Sequence, residues 1–126
     1  MVCEQMFRGI YNCEPESVVF CPYRVCLLSA HIDQQLGKIN GLAIDKGVYF
    51  TYKTKHSGIY ELHSENFPGK RAQFHVASTP ETKQGDWADH LRGAALKLGE
   101  KRKLRFGVAA CSRATCPLAD CPPPRR

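Results

Sequence analysis

The 126-residue sequence lacks a long apolar run and lacks a secretory leader. No stretch approaches the roughly 18 consecutive apolar residues that a membrane-spanning helix needs. The first five residues do not show a basic region followed by an apolar one, so no signal peptide is indicated. We therefore expect a cytoplasmic protein with no membrane partner. With 43% hydrophobic and 24% charged residues, the chain has the composition of one ordinary globular domain with a modest core.

The first hundred residues lack any excess of charge. They contain 11 basic and 11 acidic residues, so the net charge of +6 arises entirely from residues 101–126, where seven basic residues face one acidic residue, Asp120. A nucleic-acid-binding domain usually spreads positive charge over a folded face. This distribution predicts that the body of the chain has no nucleic-acid partner.

The number of cysteines is odd. Seven are present: Cys3, Cys13, Cys21 and Cys26 in the body, and Cys111, Cys116 and Cys121 near the C-terminus. An odd number without a signal peptide argues against a disulfide framework, so the body cysteines are predicted to be free, partly buried thiols. The three C-terminal cysteines leave a small basic zinc or nucleic-acid module as an alternative. Structural zinc prefers paired units and a fourth ligand, and no residue supplies that ligand at a helpful spacing, so no metal site is predicted.

Hydrophobic periodicity predicts an α+β body with more sheet than helix. Helices are expected within residues 1–12 and after Asp86, the second ending at Gly99 with a core stripe of Trp87, Leu91 and Leu98. Strands are expected at 18–20, 24–28, 42–52, near 60–62, near 74–76 and at 104–110, with a loop at 32–41. Pro22 marks a break or a sheet edge.

The composition changes abruptly after Ala110. The remaining residues have no periodicity and include three consecutive prolines, which end any helix or central strand. We therefore expect one domain over residues 1–110 and an unstructured tail over residues 111–126.

The densest cluster of reactive side chains lies between Pro22 and Asp33. Arg24 is expected on a strand, and His31 and Asp33, two residues apart in the following loop, would point toward one side. Such a trio suits a polyhydroxylated ligand, with Asp33 accepting hydrogen bonds from hydroxyls and Arg24 attracting a phosphate. The pattern alone leaves another interpretation open, in which Arg24 and Asp33 pair with each other and His31 is an ordinary loop histidine.

Several separate motifs resemble the galactokinases of the GHMP kinase superfamily. The segment Pro22-x-Arg24-Val25-x-Leu27-x-x-x-His31-x-Asp33 is similar to the first motif of that family, and the resemblance continues through Ala43-Ile44-Asp45, Ser64-Glu65-Asn66-Phe67 and the segment from Gly85 to Gly93. It covers about residues 15–110 in the family's order and spacing. The resemblance implies the N-terminal portion of the GHMP kinase fold, truncated, with a mixed or antiparallel sheet and few helices.

The resemblance also implies an activity, the phosphorylation of the anomeric hydroxyl of a sugar by ATP and Mg²⁺. Arg24 would be catalytic, near the transferring phosphoryl group, and His31 and Asp33 would bind sugar hydroxyls. Asp45 would line the sugar pocket or anchor a strand end. Ala30 replaces the family's glutamate, and the motif is then more similar to that of galacturonokinases, so the resemblance implies galacturonate as a possible substrate beside galactose. A non-catalytic sugar-binding or regulatory relative is the alternative.

The sequence lacks the Gly/Ser-rich nucleotide-binding motif and the catalytic aspartate that the family shows after this point. This 126-residue chain alone is therefore expected to be inactive. Codons for residues 111–126 can be chosen so that, read one base earlier, they encode Val-Leu-Glu-Gly-Asp-Leu-Pro-Ile-Gly-Gly-Leu-Ser-Ser-Ser-Ala-Ala. That string resembles the missing motif. We therefore hypothesise that the tail is frameshifted by the loss of one nucleotide near codon 110.

Overall fold

The computed structural model describes residues 2–26, 35–81 and 84–115. Its elements, in chain order, are α1 (Val2–Tyr11), β1 (Ser17–Val25), β2 (Leu42–Lys55), β3 (Ile59–Ser64), β4 (Arg71–His75), α2 (Asp89–Lys101) and β5 (Gly107–Ala114). The predicted α+β class, with more sheet than helix, is confirmed. Neither helix in this part of the chain has the length and apolar character needed to cross a membrane.

The strands form one five-stranded sheet in the order β1-β2-β5-β3-β4. The β1–β2, β2–β5 and β3–β4 pairs are antiparallel, whereas β3 and β5 run parallel. A parallel pair needs a crossover connection, and here β4 and α2 lie between β3 and β5 in the chain. The sheet is therefore mixed, as the resemblance implied, and the last strand in sequence is the central one in space.

Each face of the sheet carries its own small core. On one face Cys3 and Phe7 of α1 pack against Ala109 and Cys111, all at most 1% exposed. The opposite face buries a second cluster, which consists of Leu62, Ala72, Ala88 and Ala110. Because successive strand residues point to opposite faces, the run from Ala109 to Cys111 alternates between the two clusters.

β1 is one of the two edge strands of the sheet formed by the described residues, and it continues through Pro22. The sequence predicted two strands here, at 18–20 and 24–28, but Ser17–Val25 forms a single strand paired along one side with β2. Proline lacks an N–H group, and an edge strand tolerates that loss because one side of it has no partner strand. The alternative interpretation of Pro22, as a sheet-edge residue, is the one that the structure bears out.

The prediction of α2 was partly wrong. The helix begins at Asp89 and passes through Gly99 to Lys101. Leu98, predicted as core, is 52% exposed, and the buried positions of the helix are Arg92 and Ala95. A C-terminal glycine favours a helix end but does not enforce one, and Gly99 has open space around it.

The last strand extends beyond the predicted boundary at Ala110. β5 runs to Ala114, and Cys111 is completely buried. Because Cys111 pairs with Thr51 of β2 on one side and with His63 of β3 on the other, sheet pairing on both sides orders this segment despite its unusual composition. Residues 111–114 are therefore not part of an unstructured tail, and residues 116–126 lie outside the described residues.

Candidate functional site

Arg24 lies near the end of β1, where β1 pairs with the beginning of β2. It is the register partner of Ala43, and the next residue, Val25, pairs with Leu42. The Arg24 side chain is exposed and runs beside Gly41, where an added β-carbon would lie 3.7 Å from Arg24 Cδ. Within the described residues Arg24 has no salt-bridge partner.

His31 and Asp33, the predicted sugar-binding residues, lie outside the described residues, as does Ala30. The described residues on either side of them are nevertheless informative. Val25 and Leu42 are paired across the two strands, so the chain leaves the sheet and returns to it at the same end, beside Arg24. The predicted pairing of Arg24 with Asp33 stays a prediction.

Asp45, the third predicted substrate residue, lies on β2 two residues after Ala43. Its side chain is 87% exposed, and the Nζ of Lys46 lies 3.8 Å from its carboxylate. Among the described residues this is its one ion pair, and an exposed pair of this length contributes little to stability. Asp45 is therefore accessible at the same end of the sheet, but no contact joins it to Arg24.

The pairing of β1 with β2 becomes irregular between Arg24 and Pro22. Tyr23 alone lies between these two on β1, whereas three residues, Ile44 to Lys46, lie between their partners on β2. The irregular segment ends at Gly47, where regular pairing resumes. Glycine is needed at this position because a β-carbon there would collide with the backbone of β1. The irregular segment of β2 includes Asp45, and bulged strands often redirect side chains near functional sites.

The end of β5 is tied to the same place. Gly47 donates its N–H to Thr115 Oγ1 at 2.9 Å, and Thr115 donates both its backbone N–H, at 2.9 Å, and its hydroxyl, at 3.0 Å, to the Gly47 carbonyl. The chain after β5 therefore leaves the sheet beside Gly47, two residues from Asp45. Sequence reasoning did not identify this contact, because it joins residues 68 positions apart and no local pattern reports it.

Glu61 forms a second polar cluster, under α1, that serves the fold. Its carboxylate lies 3.3 to 3.4 Å from the nitrogens of Lys55, His63 and Arg71, and its side chain is 14% exposed. Burial acts to raise the pKa of Glu61, but the His63 hydrogen bond and the two cations outweigh it and lower that pKa. Tyr11 of α1 donates its hydroxyl to the carbonyls of Glu61 and Ala110, both at 3.4 Å. Three neighbouring side chains hold the Glu61 carboxylate, and the Tyr11 hydroxyl anchors α1 to the backbone of the two strands beside it.

Arg92 forms a third cluster, at the start of α2. Its guanidinium donates to Asp86 at 2.6 and 2.8 Å and to Asp89 at 2.7 Å, while the Arg92 side chain is 10% exposed. The hydrogen bond from Arg92 is the main cause that lowers the pKa of Asp86. Asp86 also accepts the N–H of Ala88 at 2.9 Å, but Ala88 is the N-cap of α2 and no side chain caps the helix, so the prediction that Asp86 caps α2 is wrong.

Neither helix N-terminus in the described chain suits a nucleotide phosphate. The carboxylates of Asp86 and Asp89 lie at the start of α2 and accept backbone N–H groups of the segment just before it, and Glu4 lies in the first turn of α1. A phosphate binds where such groups are free and positive, and carboxylates repel it. The described residues at these two helix starts therefore do not fit the phosphates of ATP.

The described residues also hold no group of three His, Cys, Asp or Glu side chains arranged to bind a metal ion. Cys116 and Cys121 of the alternative zinc module lie outside them. The four body cysteines are free, as predicted, and Cys3 is buried whereas Cys21 is exposed.

Comparison with known proteins gives a consistent group of relatives. No protein-family model matches the chain. The galacturonokinase of Arabidopsis thaliana is 31% identical over an alignment that covers 72% of this chain and 25% of that protein. The galactokinase of Lacticaseibacillus casei is 28% identical, covering 71% of this chain and 23% of that protein. The chain thus spans about a quarter of the length of the curated relatives it matches.

The fold has a close counterpart among solved structures. The crystal structure of Lactococcus lactis galactokinase complexed with galactose superposes with a TM-score of 0.79 and 20% identity, covering 90% of this chain and 30% of that one. At this identity the superposition establishes the fold, and the curated relatives above supply the family.

Proposed function

We propose that this chain, which belongs to the galactokinase family of sugar kinases, carries the sugar-binding part of an enzyme that phosphorylates the anomeric hydroxyl of galactose or a close relative. One observation carries the proposal. Arg24, without an ionic partner in the described chain, lies at the sheet end where the segment with His31 and Asp33 leaves and returns. The same fold in the Lactococcus protein was solved with galactose.

The proposed roles follow from the chemistry of each side chain. Arg24 stabilises the charge of a transferring phosphoryl group, because its guanidinium is always protonated and its side chain runs beside Gly41 at the end of β1. Asp33 and His31 hold sugar hydroxyls and so orient the anomeric oxygen. Asp45 is a substrate-binding residue at the irregular part of β2. Positioning of this kind is the main protein contribution to phosphoryl transfer.

Position 30 is proposed to set the choice of sugar. An alanine there removes a negative charge that would oppose a carboxylate on the substrate. Two like charges about 4 Å apart repel by roughly 1 kcal/mol in water and by about 4 kcal/mol at an effective dielectric of 20, which is enough to change substrate preference. A galacturonokinase among the relatives supports this proposal.

Sugar binding by the 126-residue chain tests the site directly. We expect galactose and galacturonate to give saturation-transfer NMR signals that Asp33→Asn and Arg24→Met weaken. Arg8→Met is the matched control, because Arg8 is exposed on α1 and pairs with Glu14 away from the site. Ala30→Glu should lower galacturonate binding relative to galactose. Absence of binding by either sugar, or equal loss in the control, would contradict the proposal.

Phosphoryl transfer requires ATP and Mg²⁺, which in this family supply the phosphoryl group and neutralise its charge. Since the described residues do not fit the nucleotide, we expect the 126-residue chain to bind sugar without phosphorylating it. A radiometric kinase assay with galactose and galacturonate measures this. Turnover by the chain alone would show that residues outside the described ranges bind ATP. The free body cysteines agree with a reducing compartment, and we propose a cytoplasmic location.

The frameshift hypothesis is also a proposal, and the fold supplies an argument for it. Ser112 pairs with both β2 and β3, a position that usually carries an apolar residue. The displaced reading places Leu at position 112, although it places Glu at position 113. Sequencing the gene from codon 95 past the stop tests it: codons that cannot yield the Gly/Ser-rich motif would exclude the frameshift.

A further inference from the structure

The loop between α2 and β5 concentrates unpaired positive charge. Lys101, Arg102, Lys103 and Arg105 are all exposed, and none of them forms a salt bridge within the described residues. Basic residues in the last turn of a helix stabilise its dipole, but the effect fades within that turn. Because α2 ends at Lys101, the helix does not account for Lys103 and Arg105.

Three of these cations, Arg102, Lys103 and Arg105, border a cavity of about 280 Å³, which we name the basic cavity. Its apolar lining includes Tyr60, Leu104, Phe106 and Val108, and Arg102, Lys103 and Arg105 also line it. Phe106 is 50% exposed, and its ring meets that of His56 edge to face at a centroid distance of 5.3 Å. Aromatic residues and arginine are enriched at protein interfaces, and this surface exposes Phe106 beside Arg102 and Arg105.

The size and lining of the basic cavity indicate its ligand. Sites for small molecules usually measure about 300–1,000 Å³, and this cavity, at about 280 Å³, lies just below that range and is large enough for one large side chain. The surrounding cations require negative charge on either side of that side chain. We propose that the basic cavity binds an acidic protein segment that inserts one large apolar side chain.

The basic cavity is separate from the candidate sugar site. Thr54 lines the cavity near the end of β2, whereas Ala43, the partner of Arg24, lies at its beginning. Eleven residues of strand at about 3.3 Å each separate the two sites by roughly 35 Å. The proposal therefore stands independently of sugar binding.

A fluorescein-labelled peptide, Glu-Glu-Glu-Phe-Glu-Glu, tests the proposal by fluorescence anisotropy with the 126-residue chain. We expect binding that weakens about tenfold or more between low and physiological salt, because the contacts are charged and exposed. Replacing the peptide phenylalanine with alanine, or making the Lys103→Glu/Arg105→Glu variant, should each weaken binding at least about fivefold. Lys97→Glu, on the exposed side of α2, is the matched charge control and should bind as the unchanged chain does.

Several outcomes would overturn the proposal. One is no binding of the peptide at any accessible concentration. Another is equal binding of the phenylalanine and alanine peptides, which would show that charge alone acts and the cavity does not. Tighter binding of a short single-stranded RNA would instead assign the surface to nucleic acid. Tighter binding of vesicles containing phosphatidylserine would assign it to a membrane. Circular dichroism of each variant checks that the fold is retained.

Discussion

Arg92 provides the sharpest test of how the fold is held together. It is a charged side chain with 10% exposure that donates three hydrogen bonds to two carboxylates. Removing one partner of a buried ion pair destabilises a protein by about 3–5 kcal/mol. Asp86 is 41% exposed and keeps its hydrogen bond from Ala88. We therefore expect Arg92→Met to lower the free energy of unfolding by a smaller amount, about 2–3 kcal/mol. The stability of Arg92→Lys should lie between that of the unchanged chain and that of Arg92→Met, because one ammonium group cannot reproduce the two-pronged contact of the guanidinium.

The free energy of unfolding in urea measures this effect, followed by the fluorescence of Trp87. Trp87 is the sole tryptophan, and it stacks on Phe67 with ring centroids 5.6 Å apart, close to the cluster. Lys97→Met is the matched control, since Lys97 is exposed and pairs with Glu100, and it should change stability by less than about 0.5 kcal/mol. An Arg92→Met variant as stable as the control would refute the reasoning.

The pH dependence of the stability loss in Arg92→Met provides a second, independent test of the same ion pair. The fold lowers the pKa of Asp86 below its ordinary value of 3.8, chiefly through the hydrogen bond from Arg92. A carboxylate with a lowered pKa contributes stability above the pKa of the unfolded chain and loses it as the pH falls through the folded value. The stability difference between the unchanged chain and Arg92→Met should therefore be full at neutral pH and shrink below about pH 3.8. A difference that grows in acid would contradict this assignment.

Three further predictions follow from other parts of the sheet. Glu61→Gln should lower stability at neutral pH, and the difference should narrow below the ordinary pKa of 4.5, because the fold lowers that pKa; urea unfolding across pH measures it. Burial raises the pKa of Cys111 to about 12, so Ellman's reagent followed by peptide mapping should label exposed Cys21 and spare Cys111 in the folded chain. Equal labelling of both would contradict this. Gly107→Ala should destabilise by more than about 1 kcal/mol because its β-carbon would collide with the neighbouring strand, whereas Gly99→Ala, with open space, should be neutral or stabilising.

Local chemistry made much of the fold predictable from the sequence. The turn between β2 and β3 was expected from its Ser-Gly signal, and Gly58 there adopts a positive φ of 67°. The helix within residues 1–12 and the long strand from Leu42 were expected from apolar spacing, and both are present. These features depend on residues close together in sequence, which is the information that a periodic pattern contains.

The features that sequence reasoning missed depend on distant neighbours. Arg92 is buried because Asp86 and Asp89 neutralise it, and a helical pattern assigns an arginine to the solvent side. Cys111 is buried because two strands flank it, although the sequence around it resembles a tail. In both cases tertiary contacts outweigh local composition, which is a weak guide wherever partners come from elsewhere in the chain.

The candidate site shows the same division between local and distant information. The motif placed Arg24 at a strand end, but only the sheet pairing shows that the departure of β1, the arrival of β2 and the exit of β5 share one end of the sheet. Arg24 supplies positive charge there and Asp45 an exposed carboxylate, while Thr115 holds the outgoing chain against Gly47. A sugar bound at this end, as proposed, would lie near Thr115, the residue that follows β5. Under that proposal, the sequence that continues from β5 decides whether a bound sugar meets a phosphoryl donor.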